Sequence, residues 1–257
     1  MFFGRIFVPS IIRPAALALA ALLLLAAPAV AGPPYLTDDP QPTDAGHWEI
    51  YNFANGSHDA GGLGGEAGLD LNYGGAKDLQ LTAVLPLGFS NDNGFSAHGL
   101  RGGTGVIELA AKYKVLHQSE DGITPDIAVF PRFFVPTNSR FGPAHVNLLL
   151  PVWAEKDFGP WQVFGGGGYQ INPGRDERNF WQGGITVQRT MSKRLALGVE
   201  MFGQTDDAVD GGGYRTVNFG LTYKLVEHWS LLASGGPTWE HGGGHGQVFY
   251  LSLKADY

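Results

Sequence analysis

The stretch QVFYLSLKADY, residues 247–257, alternates along its length. Phe249, Leu251, Leu253, Ala255 and Tyr257 form one set, and Val248, Tyr250, Ser252, Lys254 and Asp256 form the other. A period of two is that of a strand whose successive side chains point to opposite faces. One face is apolar, the other mostly polar, and an aromatic ring stands on the final residue. Terminal residues of a soluble domain usually fray, so a two-faced strand at this place needs a partner.

The same alternation runs upstream. In AKDLQLTAVLPLGF, residues 76–89, Leu79, Leu81, Ala83, Leu85, Leu87 and Phe89 oppose Asp78, Gln80, Thr82, Val84 and Pro86. GEAGLDLNY (65–73), VIELAAKYKV (106–115) and RTVNFGLTYKL (215–225) repeat the pattern. No stretch after residue 31 keeps a helical period. Strands are predicted near 46–56, 62–74, 77–90, 101–116, 125–136, 144–156, 160–171, 178–190, 194–204, 213–225, 229–239 and 246–257. Connections near 75–77, 157–159, 191–193 and 226–228 are tight, whereas those at 90–100, 137–143, 172–177, 205–212 and 240–245 are longer and rich in Gly, Asn, Asp and Pro. The connection at 117–124 breaks this rule by falling among the short ones.

An even number of strands, with short turns at one rim and longer loops at the other, is the wiring of a transmembrane antiparallel β-barrel. Composition agrees: 39 Gly, 12% aromatic residues and 16% charged residues, against roughly 25% charged in ordinary soluble domains. The expected fold is all-β, about twelve strands, closed by pairing the first strand with the last, because an open sheet edge cannot exist in lipid. Phe249, Leu251, Leu253 and Tyr257 then read as the terminal signal for barrel assembly, with the assembly machinery and outer-membrane lipid as partners. A soluble β-sandwich, the competing all-β architecture, would carry more surface charge.

Residues 1–31 read as a secretory signal peptide. Arg5 and Arg13 precede the apolar run AALALAALLLLAA (15–27), and Ala29-Val30-Ala31 supplies small residues before a cleavage site after Ala31. No Cys occurs, which excludes disulfides and a lipoprotein signal. The chain from residue 32 onward carries 15 basic and 24 acidic residues, a formal charge of −9, which argues against nucleic acid. Residues 32–45, with Pro at 33, 34, 40 and 42, read as an extended periplasmic lead-in, since Pro fits neither a central strand nor a helix interior. The barrel is expected over 46–257.

Aromatic girdles are expected at both interfaces. Trp153, Trp161, Tyr223 and Trp229 lie beside the tight turns, and Phe89, Trp181, Phe202 and Trp239 lie near the loop ends. The inward face carries Asp70, Glu108, Lys112, Arg132, Glu200, Lys224 and Lys254, together with Gln80, Gln162, Gln182, Gln188 and Asn218. Such charges either set a selective transverse field in a channel or pair with one another in a closed lumen.

No catalytic or metal constellation stands out, and no cofactor is expected. His241 and His245 in HGGGH fall short of the three or four ligands of a metal site. Asp38-Asp39 lacks the spacing of a calcium loop. GPAHVN, residues 142–147, has the G-x-x-H of outer-membrane phospholipases and places His145 and Asn147 on one strand face. The serine nucleophile that should follow is replaced by LLLPVWA. The Gly run at 165–168 lies inside a strand, where it marks close packing rather than a phosphate loop.

The opening GPPYLTDDPQPTDAGHWEIYNF, residues 32–53, with Thr37-Asp38-Asp39-Pro40 and then Gly46-His47-Trp48-Glu49, resembles that of a family of outer-membrane barrels known as phenol-degradation meta-pathway proteins, often called transporters. The resemblance implies an outer-membrane barrel linked to uptake of aromatic or other hydrophobic compounds, and it brings no catalytic residues. The function expected is passive passage of small solutes. An outer-membrane lipid hydrolase and a structural or surface barrel without transport are the alternatives.

Overall fold

The computed structural model of the chain describes residues 33–96, 98–137 and 141–257. The predicted signal peptide, residues 1–31, lies outside the described residues. Fourteen strand segments follow one another: β1 Trp48–Asp59, β2 Gly62–Ala76, β3 Leu79–Asn91, β4 Arg101–Thr104, β5 Ile107–Leu116, β6 Asp126–Val129, β7 Arg132–Val135, β8 Asn147–Phe158, β9 Trp161–Ile171, β10 Phe180–Ser192, β11 Leu195–Gln204, β12 Tyr214–Val226, β13 Trp229–Glu240 and β14 His245–Asp256.

They make twelve staves, because β4 with β5, and β6 with β7, are each one stave with a break. Pro131 causes the second break, since it offers no N–H to the ladder. The ladder is carried across by Phe130 N–H donating to Pro151 O (3.2 Å) and Ala111 N–H donating to Pro131 O (3.2 Å). At the first break Gly105 N–H donates to Pro86 O at 2.9 Å. Every neighbouring pair is antiparallel, and the sheet closes on itself: β1 pairs β14 in unbroken register from Glu49↔Asp256 to His58↔Gln247. Beyond β14, Trp48 and Tyr257 exchange two backbone hydrogen bonds at 2.7 and 2.9 Å. The final stretch therefore pairs to its last residue, and its partner is the first strand.

The outer face is apolar. Leu81, Leu85, Leu87, Leu109, Ile185 and Phe219 stand exposed on it, as a band facing hydrocarbon requires. Trp161, Trp181, Trp229 and Trp239 are exposed at the two rims, as expected of girdles. Trp153 and Phe202 depart from that expectation. Trp153 is 2% exposed and Phe202 is buried, both pointing inward. Strand β8 reads NLLLPVWA and is apolar on both faces, so composition could not fix which residues face out. The register does: Trp153 shares the inward set with Leu149 and Glu155, while Leu150 and Val152 face outward.

Candidate functional site

The lumen is filled in part by the chain's own lead-in. Residues 33–45, expected on the periplasmic side, run inside the barrel instead. Gly46, at φ +84°, turns the chain out of the lumen and into β1, a conformation glycine adopts without strain. The segment is held at several walls. Its parallel bridge Ala45↔Gly74 ties it to β2. Thr43 donates from its N–H (2.9 Å) and its hydroxyl (3.1 Å) to Gln80 Oε1. Gln41 Nε2 donates to Asp126 Oδ2 at 2.9 Å and to Glu155 Oε1 at 2.6 Å. Asp38 and Asp39 converge on Lys112 Nζ at 3.0 and 3.6 Å. Thr37, wholly buried, donates its N–H to Glu200. Tyr35 packs against Phe164 with ring centroids 6.0 Å apart. It lies over the paired Gly198 and Gly220 of β11 and β12. A Cβ on Gly220 would stand 2.5–2.7 Å from the Tyr35 ring, so the absence of a side chain there is what lets the ring lie on the wall.

This seating decides which predicted lumen residues meet open space. Asp70, Glu108, Lys112, Arg132 and Lys254 line a cavity of about 1500 Å³. Glu200 does not, since it lies beneath the lead-in with no exposed surface, accepting from Thr37 N–H and from Asn218 Nδ2 at 2.6 Å. Lys224 does not either. It is exposed near the turn rim, outside the cavity lining, where its N–H donates to Arg194 O. Its position close to the end of β12 puts it past the cavity, so the alternation gave its face and not its depth.

The remaining charges form tight pairs. Arg132 grips Glu108 with two parallel bonds of 2.7 Å and stacks near Phe130 and Phe134, 5.3 and 5.7 Å from the ring centres. Lys254 lies 3.2 Å from Glu49 and 2.9 Å from Asp256, and 5.5 Å from the Tyr51 ring centre. Lys114 lies 3.5 Å from Asp126. Such bidentate and buried pairs fix side-chain geometry.

From mid-height to the loop rim, the cavity wall is aromatic: Phe53, Phe134, Phe180, Phe202, Tyr214 and Tyr250. Sequence reasoning missed these as a group because it searched the inward face for charge. The alternation held the signal, since Tyr250 falls in the inward set with Ser252 and Lys254. At the rim itself, loops 172–179, 205–213 and 241–244 are tied together. Arg178 N–H donates to Asp207 O (2.8 Å), Val209 N–H to Asp176 O (2.9 Å) and His241 N–H to Gly213 O (2.9 Å). His241 engages Asp206 at 3.0 Å rather than His245, and among the described residues no group of three metal-ligating side chains assembles. Burial pushes the Asp207 carboxyl above the usual carboxylate range, with Glu177 and Asp206 adding to the rise and the Gln204 amide opposing it. Asn147, expected beside His145, instead donates to Asn172 Oδ1.

No protein-family model matches the chain. No curated protein matches it either. Among solved structures it is similar to the COG4313 outer membrane channel from Pseudomonas putida F1, at 17% identity over 89% of this chain and 99% of that one, with a TM-score of 0.63. It also aligns with the outer membrane channel DcaP of Acinetobacter baumannii at 11% identity over 89% of this chain and 100% of that one, with a TM-score of 0.36. The first likeness is one of fold: a closed, twelve-stranded antiparallel barrel of the kind found in outer membranes.

Proposed function

We propose that the protein is a narrow passive channel of the outer membrane for small, hydrophobic or aromatic solutes. The observation that carries the reading is the cavity of about 1500 Å³, lined by aromatic rings and by the lead-in, with His228 and Tyr257 of the turn rim and Asp59 and Glu240 of the loop rim all on its wall. An inner face built mainly to hold water would not present Phe53, Phe134, Phe180 and Phe202 to it. Their π faces and apolar area suit solutes that are themselves aromatic or apolar. The resemblance of residues 32–53 to barrels of phenol-degradation clusters points to the same class of solute. Charged pairs such as Arg132–Glu108 are neutralised in the wall, and Phe53, Phe180 and Phe202 line the cavity beside them. Passage in this reading follows the gradient.

The reading includes no catalytic step; Asn147 donates to Asn172 Oδ1, a contact that does not favour its use as an orienting partner for His145. The test is planar-bilayer conductance and liposome swelling by the purified barrel, with growth of a deletion strain on aromatic carbon sources. Discrete conductance steps and swelling are expected, with slowed growth at low substrate. A barrel that conducts nothing, swells nothing and leaves growth unchanged would be structural. Phospholipid incubated with the protein should remain intact.

A further inference from the structure

The charge of the cavity is lopsided. Along its described lining Asp and Glu outnumber Lys and Arg thirteen to four. All four cations are already engaged: Lys112 with Asp38 and Asp39, Lys114 with Asp126, Arg132 with Glu108, and Lys254 with Glu49 and Asp256. Several carboxylates take no part in these pairs. Asp70 accepts from Asn72 Nδ2 at 2.8 Å, and Glu66 meets only the Val106 N–H, at 3.5 Å. Glu155, 2% exposed and lining the cavity, accepts from Gln41 through Oε1 while its Oε2 has no hydrogen-bond partner. Each positive charge a solute could meet is thus cancelled in place, whereas the oxygens of Glu66, Asp70 and Glu155 keep acceptor capacity that no cation of the lining takes up.

One wall adds to this. In the register of β1 with β2, Tyr51 stands opposite Asp70 and Asn55 opposite Glu66. Phe53 stacks on Tyr250 across the β1–β14 pair, with centroids 6.4 Å apart. Aromatic faces beside carboxyl oxygens attract cations twice over, through the ring quadrupole and through the oxygen lone pairs.

We infer that the passage selects by charge: it favours cations over anions, and organic ammonium solutes, especially aromatic ones, over carboxylates of similar size. This rests on the channel reading and narrows its substrate class. A carboxylate entering the cavity would find no unpaired Lys or Arg among the described residues, while an ammonium would find acceptor oxygens on Glu66, Asp70 and Glu155.

The experiment is reversal potential in planar bilayers at about 0.1 M salt, where charges within about 10 Å are not screened out. In a potassium chloride gradient the wild-type barrel should show a cation-to-anion permeability ratio of roughly threefold or more. Under opposed gradients of benzyltrimethylammonium chloride and sodium benzoate, the aromatic cation should dominate. The double variant Glu66→Gln/Asp70→Asn should bring the ratio at least twofold closer to one while conductance persists. Lys224→Gln, outside the cavity, should leave the ratio unchanged. A wild-type ratio of one, or an anion preference, would overturn the inference whatever the variants do, and would leave the channel reading standing. Absence of any conductance or swelling would remove the channel reading and this inference with it.

Discussion

At the scale of single residues, the lead-in is held by a few contacts whose removal has calculable consequences. Tyr35 lies on Gly220 because no Cβ stands in the way. Gly220→Val should expel the ring without unpairing β12, and residues 33–45 should become cleavable by added protease while the barrel stays folded. Tyr35→Ala deletes a buried aromatic ring, a loss of about 3 kcal/mol or more to docking of the segment. Lys112→Met leaves Asp38 and Asp39 side by side without their cation, and stranding a buried charge costs about 3–5 kcal/mol. Both variants should raise single-channel conductance and protease sensitivity together; a conductance equal to wild type would show that the segment does not limit flow. Alternation along β5 was enough to place Lys112 inside. It could not name its partners, because nothing local in a Pro-rich stretch states where it docks. Glu200 shows the same limit: its face was legible, and the backbone N–H of Thr37 that covers it was not.

At the scale of elements, the twelve staves were legible because period two and turn chemistry reinforce each other across the whole chain. The break at Phe130-Pro131 and the parity of β8 were harder. Proline breaks a ladder only if neighbours cannot bridge it, and NLLLPVWA carries no face-to-face contrast. The rim loops make a separate case. Loops 172–179 and 205–213 meet through Arg178 N–H to Asp207 O and Asn172 Nδ2 to Asp207 O (3.0 Å). Burial raises the Asp207 carboxyl above its ordinary range, so the packed loops bind a proton more tightly than separated ones. The packed arrangement therefore gains as pH falls into the window between the ordinary carboxylate value, about 4, and the raised one, and weakens as pH rises through the raised one. Hydrogen exchange of amides in 205–213, corrected for intrinsic rates, should be slower relative to its reference at about pH 5 than at about pH 7. Asp207→Asn should remove the difference. Equal protection at both values in the wild type would mean that the carboxyl does not govern the loops.

At the scale of the whole molecule, the barrel and its filling are separable in energy. The walls close through ladders that run from β1 round to β14, and the lead-in adds one bridge, Ala45↔Gly74, and a set of side-chain contacts. Closure instead depends on the other end. The hydrogen bonds between Trp48 and Tyr257 complete the first-to-last pairing, and the Tyr257 ring meets Trp229 edge-on at 6.5 Å. Deleting Tyr257 should therefore lower the yield of heat-modifiable barrel in the membrane fraction. Deleting residues 33–45 should leave that yield near wild type, because no stave loses its neighbour. The same deletion should widen the path, since Tyr35, Thr37 and Asp39 vacate the lumen, and conductance should rise several-fold. It should also change the sign balance. Lys112 would lose Asp38 and Asp39 and stand unpaired in the lumen, and the lining would lose three carboxylates with Asp44. The shortened barrel should then conduct more and discriminate less between cation and anion, a paired change that a merely loosened barrel would not produce, because loosening leaves the count of charges as it was.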